Sequence, residues 1–363
     1  MRPDDGIASD ALVLIAGAGM AGLCAAARAR ELGASPVVFE KGSRPGGSML
    51  LSGGFVFRYR EWERFREECP GGDPELQRLV WERLDDALAW LESLGAPVAE
   101  RETGNPLTTG LRFDNPGLVD VLVRRAGDVR LGSPLAELPG EPTILATGGF
   151  QGDRQLVREH VTPEADALVL RSNPWSAGDG LRLGLAAGAR TGAGLDEFWG
   201  RAMPAPPARI TEETFRPLSQ TYARFAHVTN ERGEAYEATT WSEIDVAQWI
   251  ARQPRGRAWF AVPDSALEER VRERTVGEIV ESARAAGGPV ERRDGETVVE
   301  VVAGITTTLG GLVADTRGRV ADGVWAAGAD VGGISLGGWA SALASALVLG
   351  LAAAEDVAGT AAA

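Results

Sequence analysis

The chain contains few of the residues that build metal centres and disulfide frameworks. Its 363 residues include two cysteines, Cys24 and Cys69, and two histidines, His160 and His227. Cys24 lies in a run of small residues typical of a packed helix, which argues against a disulfide framework. Two histidines are too few for the usual histidine-ligated metal site. We therefore expect neither a metal site nor a structural disulfide.

Positive charge is also scarce. Lysine and arginine total 37 against 51 aspartates and glutamates, the formal net charge is -14, and Lys41 is the only lysine. This balance argues against nucleic acid or an anionic membrane surface as a partner.

Long apolar runs are lacking as well. The best candidate for a membrane span, residues 340–354, is short and rich in alanine, whereas a span needs about 20 apolar residues. The acidic N-terminal segment does not have the pattern of a signal peptide. We therefore expect a cytoplasmic protein without a membrane span.

One N-terminal segment has the pattern of a dinucleotide-binding unit. An apolar run, residues 11–16, is followed by Gly17, Gly19 and Gly22 in the spacing G-x-G-x-x-G. Small residues then open a helix, and a second apolar run ends at Glu40. This is the strand–turn–helix–strand context that the motif requires.

Each residue of this motif has a chemical role. Gly17 permits the tight turn, Gly19 lets the backbone approach a pyrophosphate, and Gly22 lets helix and strand pack closely. Glu40 can accept hydrogen bonds from a ribose diol. Because its charge would repel a 2′-phosphate, NADP is disfavoured.

A glycine-rich loop, residues 46–54, favours a flavin over a nicotinamide cofactor. Two glycine clusters bracket a short apolar piece where a nicotinamide dehydrogenase would continue into a helix. In this interpretation Ser48 can bond the flavin edge, and Gly53 and Gly54 let the backbone lie flat on the ring. An ordinary glycine turn remains the alternative.

Cofactor-type sequence returns later in the chain. Residues 143–150 predict a strand that ends in an Ala-Thr-Gly turn, and Asp179 begins a helix as either an N-cap or a cofactor contact. Residues 324–338 predict a strand and a glycine-rich turn, followed by a helix that starts near Ala340 and Ser341. Residues 200–303 differ in composition and predict a smaller α+β unit, with two charged helices over residues 264–286.

The order of these motifs resembles the flavoprotein family of fumarate reductases, succinate dehydrogenase flavoprotein subunits and 3-ketosteroid dehydrogenases. The resemblance implies an α/β fold with a discontinuous Rossmann-like FAD-binding domain, residues 1–198 and 304–363. It also implies a smaller inserted α+β capping domain, residues 199–303. The cofactor implied is non-covalent FAD, because the loop 46–54 has no histidine for a covalent link.

The predicted FAD-binding residues come from the motifs above and from the positions that match the family. They are Gly17, Gly19, Met20, Ala21, Gly22, Glu40, Lys41, Gly46, Gly47, Ser48, Met49, Ser52, Gly53, Gly54, Ala146, Thr147, Gly148, Asp179, Gly328, Asp330, Ala340 and Ser341. Asp330 is included because the family commonly has Glu or Asn at the preceding position, which here is Ala329.

The substrate residues of the family do not carry over. Dicarboxylate-reducing members have a histidine near Thr307 and Thr308 and an arginine at the place of Ser335, so fumarate or succinate would leave buried charge unpaired. Ketosteroid members have a tyrosine where Trp339 stands. These four residues, Thr307, Thr308, Ser335 and Trp339, are our predicted substrate contacts.

The function implied is hydride transfer at carbon, as α,β-dehydrogenation or C=C reduction, on an uncharged or weakly charged substrate activated by a carbonyl group. Such a step needs a partner proton transfer, and the candidates are Tyr222, Tyr236 and Glu243. The alternatives are an FAD oxidase or oxygenase that uses O2, and a catalytically silent FAD-binding protein. The chain has no haem or Fe–S motif, so electrons must pass to a separate carrier, to O2 or to a second substrate.

Overall fold

The computed structural model describes residues 11–238 and 244–361, which form four β-sheets and the helices that cover them. The strands are β1 (Leu12–Ala16), β2 (Ser35–Phe39), β3 (Phe55–Tyr59), β4 (Val98–Glu100), β5 (Thr108–Phe113), β6 (Asp128–Arg130), β7 (Thr143–Leu145), β8 (Val169–Leu170), β9 (Phe198–Pro204), β10 (His227–Thr229), β11 (Arg257–Pro263), β12 (Arg270–Val271), β13 (Arg274–Thr275), β14 (Val290–Arg293), β15 (Glu296–Thr308), β16 (Arg319–Ala321) and β17 (Val324–Ala326). The α-helices are α1 (Met20–Glu31), α2 (Trp62–Glu68), α3 (Pro74–Ser93), α4 (Asn115–Ala126), α5 (Arg154–Leu156), α6 (Asp179–Ala186), α7 (Ile244–Ala251), α8 (Val276–Ala285) and α9 (Ala342–Ala361).

The first sheet has the order β16-β17-β7-β1-β2-β6. Its five strands from β17 to β6 run parallel, and only β16 pairs antiparallel to its neighbour. Helices cover the sheet, so β1 and β7 are apolar and buried almost throughout. This arrangement confirms the predicted α/β class with a Rossmann-like domain.

Helices α1 and α9 pack closely on each other. The contact depends on small residues, because a Cβ at Gly350 of α9 would lie 2.5 Å from the Ala21 carbonyl oxygen of α1. Among the described residues, the segment Ala342–Thr360 is long and apolar enough to cross a membrane, and 67% of it is buried inside the protein. That burial is what the inner helix of a folded domain requires.

The second sheet has the order β10-β11-β15-β14, and β8 and β9 also pair with β15. β15 is therefore its organising strand, and its last residues, Thr306 to Thr308, reach the first sheet's side of the molecule. β15 runs without a break across the predicted boundary between residues 303 and 304. The domain boundaries stay predictions.

The remaining elements cover the edges of these sheets. β3, β5 and β4 form an antiparallel sheet, and residues 70–73 separate α2 from α3, as the proline- and glycine-rich sequence predicts. The predicted pair of helices over residues 264–286 is wrong. A single helix, α8, forms there, because a tight β12-β13 hairpin precedes it and places Arg272 at φ 58°.

The close packing of α1 on β1 predicts the effect of Gly22→Ala. A Cβ at this position would lie 1.9 Å from the Gly17 carbonyl oxygen, a backbone atom that cannot move alone. We expect the free energy of unfolding to fall by about 2 kcal/mol or more. Urea unfolding checks this, with Gly359→Ala of α9 as the control, since nothing lies within 4 Å of its new Cβ. Equal stability of Gly22→Ala and the parent would contradict the packing described.

Candidate active site

A cavity of about 890 Å³ lies between the first and second sheets. Residues at the carboxyl ends of parallel strands line it, among them Ala16, Glu40, Ala146 and Ala327. The end of β15 and the start of α9 close its other walls. This crevice is where open α/β sheets bind ligands, and its volume is near the upper end of the usual range of about 300–1,000 Å³.

The glycine turn after β1 brings bare backbone to the cavity. Gly17 has φ 106°, and a Cβ there would lie 2.2 Å from the Ala146 carbonyl oxygen. Gly19 lines the cavity, and a Cβ there would meet no protein atom within 4 Å. No side chain caps the N-terminus of α1, so its N–H groups are available to an anion.

Glu40 stands at the end of β2 with its carboxylate fixed. One oxygen accepts the Ala18 N–H at 2.7 Å and the other the Gly42 N–H at 2.6 Å. The side chain is buried yet lines the cavity. A carboxylate with two such bonds keeps lone pairs for a ribose diol.

The glycine-rich loop forms a short 3₁₀ turn, Gly47–Leu51, against the first glycine turn. The Ser48 hydroxyl lies 2.7 Å from the Ser172 hydroxyl and accepts a hydrogen bond from Asn173 Nδ2, also at 2.7 Å. These bonds tie the loop to the segment that follows β8. Ser48 therefore occupies a fixed place in the cavity wall.

Lys41 and Asp179 join two distant segments at the cavity. Lys41 Nζ lies 2.9 Å from Asp179 Oδ2, and both side chains line the cavity. Asp179 is the first residue of α6. The N-cap of α6 is Gly178, so the predicted N-cap role of Asp179 is wrong, and the cofactor contact stays a prediction.

Asp330 lies beneath the turn that follows β7 rather than in the cavity wall. Its carboxylate accepts hydrogen bonds from the Thr147 N–H, from the Thr147 hydroxyl at 3.0 Å and from the Gly149 N–H at 3.3 Å. Burial raises the pKa of this carboxyl to about 6, although those hydrogen bonds favour its charged form. Asp330 is a positioning residue for Thr147, which does line the cavity.

The start of α9 is held in place by two serines. Ser341 accepts the Ala344 N–H at 3.2 Å and donates to the Phe55 carbonyl at 3.2 Å, while Ser335 accepts the Ala340 N–H at 3.2 Å. Both serines line the cavity. The positive end of the α9 dipole therefore lies at the cavity wall.

Two tryptophans and two threonines form the wall opposite the glycine turns. Trp199 of β9 stacks on Trp339 with ring centroids 4.7 Å apart and an interplanar angle of 26°. Thr307 and Thr308 end β15 beside them. All four predicted substrate contacts, Thr307, Thr308, Ser335 and Trp339, thus line one cavity with the FAD-type residues.

Most of the predicted FAD-binding residues line this cavity. They are Gly17, Gly19, Met20, Ala21, Glu40, Lys41, Gly47, Ser48, Met49, Ser52, Gly53, Ala146, Thr147, Gly148, Asp179, Gly328 and Ser341. Five do not line it and act through packing or turns behind it: Gly22, Gly46, Gly54, Asp330 and Ala340.

The predicted proton-transfer residues are not brought together there. Tyr222 is fully buried, packs on Phe260 and donates to Gln220 Oε1 at 2.9 Å, and burial raises the pKa of its hydroxyl. The Tyr236 hydroxyl donates to Asp245 Oδ2 at 2.6 Å. Neither tyrosine lines the cavity. Glu243 lies outside the described residues.

A group of arginines at the cavity was missed from the sequence. Arg171 is buried, Arg201 is half-buried, and Arg216 is exposed at the mouth. The signal was present, because Arg171 and Arg201 are single charges within apolar strand segments, a position where charge is rare. With only one lysine among 37 basic residues, arginine itself carried little information.

These features fit an extended dinucleotide with a redox-active ring. The open Gly19 and the uncapped α1 suit a pyrophosphate, Glu40 suits a ribose, and the cavity continues past Ser48 to the cap. Among the described residues, no cluster of three or more His, Cys, Asp or Glu could hold a metal ion. The fold and the cavity therefore define a dinucleotide-binding flavoprotein.

The chain belongs to the FAD-binding domain family, whose model matches residues 13–115 and 140–344. FAD is thereby confirmed as its cofactor. A curated relative, "Probable fumarate reductase Ifc3" of Shewanella frigidimarina, is 24% identical over 303 residues, which are 68% of this chain. The chain spans 50% of the length of that relative.

Solved structures share the fold at low identity. An open conformation of a flavocytochrome c3 fumarate reductase matches with TM-score 0.69 and 21% identity, over 97% of this chain and 78% of its own. The 3-ketosteroid-delta4-(5alpha)-dehydrogenase of Rhodococcus jostii RHA1 matches with TM-score 0.68 and 18% identity, over 99% and 100%. The 3-ketosteroid delta1-dehydrogenase of Sterolibacterium denitrificans matches with 0.69 and 14%, over 96% and 99%. The predicted resemblance is confirmed at the level of family and fold.

Gly19→Ala separates cofactor binding from folding. The φ of Gly19 is -82°, which any residue adopts, and its new Cβ meets no protein atom, so we expect the stability of the FAD-free protein to stay within about 0.5 kcal/mol of the parent. The methyl group projects where a pyrophosphate approaches the backbone. FAD affinity should therefore fall about tenfold or more, a cost of about 1.4 kcal/mol. Fluorescence titration of the apoprotein with FAD measures this, and unchanged affinity would remove Gly19 from the cradle.

Asp330→Asn tests the buried carboxyl under the β7 turn. An unfolded aspartate has a pKa of about 3.9, and the folded one of about 6 is higher. The stability it contributes is therefore complete below about pH 4 and lost as pH rises through about 6. The difference in unfolding free energy between parent and variant should fall by about 2–3 kcal/mol across this window.

Urea unfolding of both FAD-bound proteins at several pH values gives this difference. Asp264→Asn is the control, because the hydrogen bond from Arg292 lowers the pKa of the exposed Asp264 carboxyl, so any trend has the opposite sign. A difference between parent and Asp330→Asn that does not change with pH would contradict the raised pKa.

Proposed function

We propose that this protein uses FAD to form or reduce a C=C bond next to a carbonyl or carboxylate group of a small organic molecule that is not a dicarboxylate. The observation that carries this proposal is the shared cavity. FAD-type residues such as Gly19 and Ser48 and predicted substrate contacts such as Thr307 and Trp339 line the same 890 Å³ space. A substrate bound by Thr307 and Trp339 would therefore lie next to an FAD bound by the glycine turns.

The chain's own residues supply binding, orientation and exclusion of water. FAD, when bound, exchanges a hydride equivalent with carbon. Trp199, Trp339 and Phe215 give the cap wall an apolar surface that orients a planar molecule and keeps water out. The α9 N-terminus, fixed by Ser341, stabilises negative charge that develops next to it.

Two features support a substrate other than a dicarboxylate. Thr307 and Ser335 line the cavity at places where dicarboxylate-reducing members of the resembled family have cationic side chains, and neither carries charge. The stacked tryptophans also occupy the cap wall beside them. A short molecule with a carboxylate at each end would lack a partner on that side.

Hydride exchange at one carbon requires a proton at the next. The hydroxyls of Tyr222 and Tyr236 are engaged inside the cap, away from the cavity wall. We therefore retain Glu243 as the proposed proton-transfer residue, on the sequence evidence alone. Glu243→Gln should slow turnover while leaving FAD content unchanged.

Anaerobic reoxidation of the reduced holoprotein tests the proposed function. After reduction with one equivalent of dithionite, we expect cinnamate or 2-cyclohexenone to restore the oxidised absorption spectrum, with one saturated product molecule formed per FAD. Fumarate, the matched dicarboxylate, should not. Restoration by O2 alone, with one peroxide released per FAD, would favour the oxidase alternative. Failure of the two alkenes and of O2 would favour a silent FAD protein.

A further inference from the structure

Arg171 is a buried arginine that the proposed function does not yet use. It follows β8 and is 4% exposed, and its backbone N–H donates to the Ile305 carbonyl of β15 at 2.8 Å. Its aliphatic stem crosses β15 at Gly304, where a Cβ would lie 2.3 Å from Arg171 Cδ. Because Gly304 has no side chain, it leaves room for the Arg171 stem to pass to the cavity.

The guanidinium of Arg171 has neutral partners only. Nη1 donates to the Thr306 hydroxyl at 2.5 Å and Nη2 to the Ser219 hydroxyl at 2.9 Å, and Nε is buried with no hydrogen-bond partner. Among residues 11–238 and 244–361, no carboxylate forms an ion pair with it. A buried charge without a counter-charge is unfavourable, and an anion in the cavity would supply the missing counter-charge.

Neighbouring positive charges also favour an anion at Arg171. Burial first, and then Arg201 and Arg216, lower the pKa of the Arg171 guanidinium to about 9, so it stays charged at neutral pH. Arg216, at the mouth, donates from Nη1 to the Ser52 carbonyl at 3.1 Å and so faces the glycine-rich loop. In a protein of formal net charge -14, these like charges converge on one cavity.

An aromatic surface lies directly beside the arginines. The Cζ atoms of Arg171 and Arg201 lie 5.6 and 5.3 Å from the centre of the Trp199 ring, which also stacks on Trp339. The indole Nε1–H of Trp199 is buried without a hydrogen-bond acceptor. The same corner of the cavity therefore has a cation, a planar surface and an unused donor.

We propose that this corner binds an organic monocarboxylate, with its carboxylate on Arg171 and its planar, apolar body along the Trp199–Trp339 pair. The inference rests on the proposed function, because it makes this carboxylate the group that activates the neighbouring carbons. It also narrows the predicted uncharged or weakly charged substrate to a singly charged one. The cofactor phosphates are a separate anion, since Gly17 and Gly19 of the first sheet form their cradle.

Binding of benzoate and its neutral isostere benzamide tests the site independently of catalysis. Neither molecule has an adjacent C–C bond that could be dehydrogenated, so calorimetric titration of the oxidised holoprotein reports recognition alone. We expect benzoate to bind more tightly than benzamide. Arg171→Gln should weaken benzoate roughly 30-fold or more and leave benzamide within about twofold. Arg171→Lys should retain part of the benzoate preference, because it keeps charge but not the planar fork.

Two further readouts separate this role from a structural one. Arg293→Gln, at an exposed position of β14, is the control and should bind benzoate as the parent does. In the absence of benzoate, Arg171→Gln should melt at the same temperature as the parent or higher, because it removes an unpaired buried charge. FAD content should be equal in all variants.

The inference is overturned if Arg171→Gln lowers the melting temperature while benzoate affinity stays unchanged, which would make the arginine a strut between Thr306 and Ser219. It is also overturned if the variant loses FAD, which would assign the charge to the cofactor. Benzoate binding that depends on Arg171, together with failure of every alkene to reoxidise the reduced protein, would retain the anion site and reject the proposed reaction.

Discussion

Backbone touches backbone at the centre of this protein, and the rest of the structure follows from that constraint. Gly17 lies against the Ala146 carbonyl, Gly22 against the Gly17 carbonyl, and Gly350 against the Ala21 carbonyl. These contacts draw α1 and α9 onto the first sheet. They also leave the N–H groups of α1 directed at open space. The bare backbone at this end of the cavity is therefore a product of packing, and a residue such as Gly22 supports it without lining the cavity.

The parts of the fold that depend on local spacing could be predicted from the sequence. The first strand, helix and second strand, the glycine loop, and the α2–α3 break all follow from glycine, proline and apolar periodicity within about 30 residues. The same holds for Glu40, because its distance from the glycine turn is set by one strand and one helix. The helix pair over residues 264–286 failed because charged residues with apolar spacing also suit a hairpin followed by one helix.

The cap side of the site could not be predicted, because its contacts join distant segments. Arg171 meets Ser219 and Thr306 across 48 and 135 positions. Tyr222 was a chemically sensible proton donor, but its hydroxyl is turned to Gln220 within the cap core. The spacing of apolar residues in a sequence does not predict the direction in which such a side chain points. The sequence places Arg171 in an apolar segment, but only the structure shows that its guanidinium is buried with neutral partners.

The position of β15 also links ligand binding to the stability of the fold. This one strand pairs with β11, β14, β8 and β9, and its last residues form the cavity wall. Occupancy of the cavity and persistence of the folded cap are thus linked by mass action. A ligand that occupies the cavity therefore also protects the sheet around β15 against unfolding and proteolysis.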